Sequence, residues 1–142
     1  MTTNYRDVPE LQKYIDLVEN EGKNGVKKCC KWQKKLIKFV KKCFENENLT
    51  IDTEQLKKYM GLQKYFDFEL FEWEQFVFTL HCCVFREDGL PRFPDLLIFV
   101  ARGAGKNGYL AFEDFAMISP YSNLQQYDVD ICATAEEQAR TS

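Results

Sequence analysis

Apolar positions in the N-terminal half recur every three or four residues, the period of helices packed on one side. Leu11, Ile15 and Val18 follow Pro9, which suits a first helical position, and Gly22 and Gly25 break the run. Residues 26–44 predict a longer helix. Its apolar face carries Cys29, Gln33, Leu36, Val40 and Cys43, with Trp32 and Phe39 beside it. Lys27, Lys31, Lys34, Lys38 and Lys41 line much of the other side, and Asn46-Glu47-Asn48 ends the pattern. Asp52 reads as an N-cap, and Gln55 three residues later suits a capping box, so a short helix runs from Thr53 to Met60 and stops at Gly61. Residues 66–70 read as loop or a short extended piece. Residues 72–85 are apolar over most of a helical circumference through Trp73, Phe76, Val77, Leu80, Cys83 and Val84, which predicts a buried helix. A turn at 86–91 follows.

Beyond that turn the pattern changes. Residues 94–100 end in the continuous apolar run Leu96-Leu97-Ile98-Phe99-Val100, the signature of a buried strand. Residues 105–118 read as a helix, 120–126 as a loop, 128–133 as a second strand, and Ala135 onward as the start of another helix. The chain therefore reads as α/β. A helical N-terminal segment (1–70) precedes the start of a parallel sheet (71–142).

A length of 142 residues suffices for a domain with a real core, and 45% hydrophobic with 15% aromatic content excludes a disordered chain. The net charge of -3 argues against nucleic-acid binding by the chain as a whole, yet nine lysines and no acid lie between Gly22 and Phe44. That stretch is either a DNA-phosphate patch or a solvated helix face. The absence of arginine from it favours the solvated face. The polar N-terminus is no secretory signal, so the six cysteines read as reduced, packed thiols. A metal would have to gather Cys29, Cys30, His81, Cys82 and Cys83, but vicinal pairs lack the C-x(2–4)-C spacing of zinc sites. No apolar run approaches the ~20 residues that span a bilayer, so no membrane partner is expected.

The candidate chemistry lies at Val100-Ala101-Arg102-Gly103-Ala104-Gly105-Lys106-Asn107, between the apolar run and the helix-like Tyr109-Leu110-Ala111-Phe112. Backbone N–H groups of a tight glycine-rich loop can converge on phosphate oxygens, and a lysine at the helix start meets the outer phosphates. Gly103, Gly105 and Lys106 satisfy this demand. Val100 stands where the full G-x-x-x-x-G-K-[ST] pattern has its first glycine, and Asn107 replaces the hydroxyl that ligands Mg2+. An amide oxygen from Asn107 is a weaker ligand, or one acting through water.

Four pieces in order make residues 27–140 resemble the N-terminal part of the phage terminase large subunit, the ATP-driven motor that packages DNA. They are Cys30-Lys31-Trp32-Gln33-Lys34-Lys35-Leu36, Phe71-Glu72-Trp73-Glu74-Gln75-Phe76, the run from Phe93 through Asn107, and Ile131-Cys132-Ala133-Thr134-Ala135-Glu136-Glu137-Gln138-Ala139. The resemblance implies ATP and Mg2+ as cofactors. It gives Lys106 to the β/γ-phosphates and Arg102 to sensing or stabilising the transferring phosphate. The backbone of Gly103, Ala104, Gly105, Lys106 and Asn107 becomes the cradle, and Gln75 meets the adenine edge with Trp73 or Phe71 packing nearby. Plain core packing is an equal reading of both aromatics. Double-stranded DNA, the portal and the small terminase subunit are the implied partners, and the cytoplasm of a bacterial host the implied location. In that family the acidic strand that completes hydrolysis, and the nuclease, follow the last strand present here. These 142 residues are therefore expected to bind nucleotide at most, without turnover or DNA cleavage, and to be marginally stable, self-associating or completed by a second polypeptide. A small P-loop phosphotransferase and a non-enzymatic binding module are the competing readings.

Overall fold

A computed structural model describes residues 1–23, 27–126, 128–130 and 132. It is a mixed α/β chain in which helices predominate: α1 (Pro9–Glu19), α2 (Lys31–Asn46), β1 (Thr50–Ile51), α3 (Thr53–Met60), α4 (Glu72–Cys83), β2 (Val84–Phe85) and α5 (Lys106–Ile118). The chain divides into two units. The first comprises Met1–Leu56 and Phe71–Leu96, the second Lys57–Leu70 and Leu97–Ser142.

In the first unit α1 packs on both α4 and α2. Leu11, Tyr14, Ile15 and Val18 are buried on α1, and Phe76, Phe78, Leu80 and Cys83 on α4, with the Tyr14 and Phe76 rings 5.0 Å apart. Burying such side chains stabilises the unit by about 1.5–3 kcal/mol each. Pro9 opens α1 as expected, and Gly22 follows it at φ +71, a left-handed conformation that a residue with a Cβ adopts only under strain.

The second helix differs from expectation at its start and in part of its buried face, where Val40 and Cys43 are buried as expected but Ile37 takes the place of Leu36. Glu21 accepts the Cys29 N–H at 2.7 Å and Gln33 accepts the Cys30 N–H at 2.7 Å. Both amides are thus committed to side chains, and the helix begins at Lys31 rather than near 26. Its buried positions are Ile37, Val40 and Cys43, whereas Trp32, Leu36 and Phe39 are exposed. Gln33 donates to the Tyr14 hydroxyl at 3.0 Å, while Lys41 pairs with Glu19 at 2.5 Å and Lys34 with Glu21. These three ties to α1 and the segment after it turn the Gln33–Ile37–Val40 side inward, and the Trp32–Leu36–Phe39 stripe is left outward.

The observed sheet is the antiparallel pair β1–β2, with Thr50 opposite Phe85 and Ile51 opposite Val84. Thr2 adds a bridge to Ile51, donating at 3.0 Å and accepting at 2.7 Å. The helix predicted to reach residue 85 ends at Cys83 because Val84 and Phe85 join this ladder. The turn at 86–91 forms as expected, closed by Gly89 N–H to Arg86 and Arg86 N–H to Leu90, each at 2.9 Å. Arg92 then returns to the end of α2, where Glu47 accepts from its Nε at 2.5 Å and its Nη2 at 2.9 Å.

Among the described residues the parallel sheet is not observed. Residues 94–100 form no strand, because no described segment offers them a ladder, and backbone groups left unpaired in a strand are costly unless solvated. Leu97 and Phe99 are 91% and 97% exposed, so the run is not buried either. Residues 128–130 form no strand; Ile131, Ala133 and the helix expected from Ala135 lie outside the described residues.

In the second unit Gly61 does not stop the chain's turning, which continues as a 3-10 helix over Gly61–Tyr65. The 66–70 loop is then wrapped around one carboxamide. Gln63 donates to the Phe68 carbonyl at 2.5 Å and accepts from Leu70 N–H at 3.3 Å. This holds Phe66 against α5, 5.5 Å from the Phe112 ring and 5.6 Å from Phe115, with Phe68 at 5.2 Å on its other side. Tyr109, Phe112 and Ala116 are the fully buried face of α5, which ends at Ile118 before Ser119 and Pro120.

Candidate phosphate-binding loop

The loop lies in the second unit. Ala104 N–H reaches the Ala101 carbonyl at 3.3 Å, closing a tight turn over Ala101-Arg102-Gly103-Ala104. Gly103 has φ +81, and Gly105, the residue that caps α5, has φ +88 and ψ -4. Both conformations cost a residue with a Cβ about 1–2 kcal/mol, so the glycines meet a need of the backbone here. The added Cβ itself would meet nothing within 4 Å at Gly103, so the demand is conformational and the loop's outer side is open.

Lys106 is the first residue of α5 and Asn107 the second, both exposed, as is Arg102. The Tyr109 N–H takes the Gly105 carbonyl at 3.0 Å, the first bond of the helical ladder. The N–H groups of Lys106, Asn107 and Gly108 precede it and have no helical acceptor, which leaves them directed out of the helix N-terminus. Thirteen residues of aligned peptide dipole stand behind them. Three outward N–H groups, a lysine and an arginine within seven residues suit a phosphate-bearing ligand. For Mg2+ the fit is poorer. Asn107 offers an amide oxygen in place of a hydroxyl, and among the described residues no three His, Cys, Asp or Glu side chains gather into a metal site.

A further residue of this region is Gly108. A Cβ there would lie 3.3 Å from Phe68 Cζ and 3.4 Å from Cε2, so the ring closes over the helix start. A glycine three residues into a helix, where it weakens the helix, is the sequence signal for such a close approach.

Phe71, Trp73 and Gln75 belong to the first unit. Phe71 is the exposed cap residue of α4, and Trp73 and Gln75 are half-buried in its first turns. The Gln75 N–H bonds the Phe71 carbonyl at 3.0 Å, so the two stand one turn apart on the same side. Trp73 lies roughly 160° around the helix from Phe71 by helical geometry. Phe71, not Trp73, therefore shares a side with Gln75. Glu74 between them is buried, and its carboxylate accepts the Phe71 N–H at 2.8 Å, half of a capping box. Burial pushes its carboxyl above the usual range, with the Phe71 N–H opposing.

Of the six cysteines expected as packed thiols, Cys30 and Cys132 are exposed instead, and Cys29 and Cys82 are half-buried. Cys43 and Cys83 are buried, and burial pushes both thiols up, which suppresses the thiolate. His81 Nδ1 is 2.7 Å from the Phe93 carbonyl, fixing the chain after the 86–91 turn. No helix among the described residues is long and apolar enough to cross a membrane. Comparison with protein-family models, with curated proteins and with solved structures finds no match to the chain.

Proposed function

We propose that this chain is the ATP-binding N-terminal part of a phage terminase large subunit, and that by itself it binds nucleotide without turning it over. The observation that carries the reading is the pair of left-handed glycines, Gly103 and Gly105, leading directly into a thirteen-residue helix whose first residue is Lys106. In this reading Lys106 holds the outer phosphates, the N–H groups of Gly103, Gly105, Lys106 and Asn107 hold phosphate oxygens while that of Ala104 closes the turn on Ala101, and Arg102 stands beside the terminal phosphate. Bound Mg-ATP would bring the phosphoryl electrophile; this chain's own groups bind and orient it. The family resemblance gives the adenine edge to Gln75, with Trp73 or Phe71 packing nearby. Residues 96–100 become a strand only where neighbouring strands of the same sheet are present, which accords with the exposure of Leu97 and Phe99. Double-stranded DNA, the portal and the small subunit are the partners this role entails.

The test is titration of the chain with a fluorescent ATP analogue. Saturable binding lost in Lys106→Ala is expected, with no phosphate release. Absence of saturable binding sinks the nucleotide reading. Phosphate release that Lys106→Ala abolishes sinks the restriction to binding.

A further inference from the structure

Trp32, Leu36 and Phe39 occupy α2 at i, i+4 and i+7, and so form one stripe along the helix. The stripe is outward: Trp32 is 64% exposed, Phe39 51% and Leu36 38%. The helix already has a different buried side in Ile37 and Val40, so the stripe, which runs on to the buried Cys43, is a second apolar face. A helix that needed only solubility would carry polar groups there.

The charges around the stripe are sorted. Lys34 and Lys41 lie on the far side of α2, and Glu21 and Glu19 neutralise them. Lys31, Lys35, Lys38 and Lys42 make no ion pair among the described residues. By helical position Lys31, Lys35 and Lys42 border the stripe along one edge. Two of them reach over the exposed indole, Lys35 Nζ at 4.8 Å and Lys31 Nζ at 5.3 Å from a Trp32 ring centroid. The other edge is the helix's own buried side. An apolar seam with positive charge along one edge complements a helix with an apolar stripe and acids along one edge, the pairing logic of helix seams. A flat anionic bilayer calls for cations on both borders of the stripe, and a nucleic-acid groove for cations without a hydrophobic seam.

We propose that the Trp32–Leu36–Phe39 face of α2 is a docking surface for an acidic amphipathic helix of another protein, with Trp32 as the apolar anchor and Lys31 and Lys35 reading the acids. This surface is independent of the nucleotide reading, since it uses none of the loop residues.

The experiment uses the full chain and four probes: a fluorescein-labelled helical peptide with a leucine stripe edged by glutamates, its twin edged by lysines, phosphatidylcholine–phosphatidylserine vesicles, and a DNA duplex. Saturable binding of the glutamate peptide alone is expected. Trp32→Ala and the double change Lys31→Glu, Lys35→Glu should each weaken it by about tenfold or more, the loss of one well-formed anchor or charge pair. All three side chains are exposed, so the variants should keep the parent's circular dichroism, and Phe39→Ser gives an independent variant of the same stripe. Equal binding of both peptides, binding of neither, tighter binding of vesicles or duplex, or undiminished binding by the folded variants would each overturn the proposal.

Discussion

Replacing Gly103 by alanine isolates what the loop backbone contributes to phosphate binding. At φ +81 an alanine pays about 1–2 kcal/mol for the left-handed conformation. No steric cost adds to this, because the new Cβ meets no atom within 4 Å. Asparagine populates the same region more readily, so Gly103→Asn should lie between glycine and alanine. If the free chain holds the turn, the strain appears as lost stability, read by urea unfolding followed by circular dichroism. If the free loop relaxes to negative φ, binding must restore the turn, and the cost appears as affinity for the ATP analogue weakened about 5- to 30-fold. The sum of the two effects should equal the same 1–2 kcal/mol in either case. Unchanged stability together with unchanged affinity in Gly103→Ala, while Lys106→Ala abolishes binding, would refute the claim that this turn presents its N–H groups to phosphate.

Further outcomes follow from the packing and the ionisable groups. Phe112→Ala removes a fully buried ring from the Phe66–Phe68–Phe115 cluster and should cost about 3–5 kcal/mol in urea unfolding, with loss of near-ultraviolet circular dichroism. Hydrogen bonding to Arg92 holds the Glu47 carboxyl below its unfolded value, so its stabilisation is complete at neutral pH and is lost as pH falls through the lowered value. The urea midpoint of Glu47→Gln should accordingly fall less than that of the parent in the acid range. Glu74 has the opposite sign. Burial raises its folded value, so ionisation destabilises the fold at neutral pH and the penalty fades as pH drops. Glu74→Gln, which still accepts the Phe71 N–H, should raise the midpoint at neutral pH and converge on the parent at low pH; a lower midpoint at neutral pH would contradict this.

The local signals in the chain were strong where a side chain acts on its own backbone. Pro9 set the start of α1, and Asp52 accepts the Gln55 N–H at 2.9 Å at the start of α3, where the capping pattern placed it. Gly105 and Lys106 likewise marked the beginning of α5. Misreadings arose where distant groups decided. On α2 the pattern places Val40 and Cys43 inward, as they are, but it cannot distinguish Ile37 from Leu36 as the inward residue; Tyr14, Glu19 and Glu21, all outside the helix, settle it. Two-residue strands such as Thr50–Ile51 have no period to read, and their pairing depends on a partner more than thirty positions away. The run at 96–100 has the composition of a strand, but a strand exists only as one side of a ladder. In the phosphate-binding loop, residue types and order were legible from the chain, whereas the side of α4 shared by Phe71 and Gln75, and the closure of Phe68 over Gly108, required coordinates.

The exposed apolar run also has guarded ends. Pro94 and Asp95 stand before Leu96-Leu97-Ile98-Phe99, and Arg102 stands shortly after. Residues of these kinds act as gatekeepers against amyloid-type stacking, because proline cannot donate to a growing ladder and repeated like charges repel one another in register. The run is thus short enough, and its borders hostile enough, to resist indefinite stacking with copies of itself. It remains open to a single strand of matched length. That selectivity lets a surface this hydrophobic persist without committing the protein to fibres.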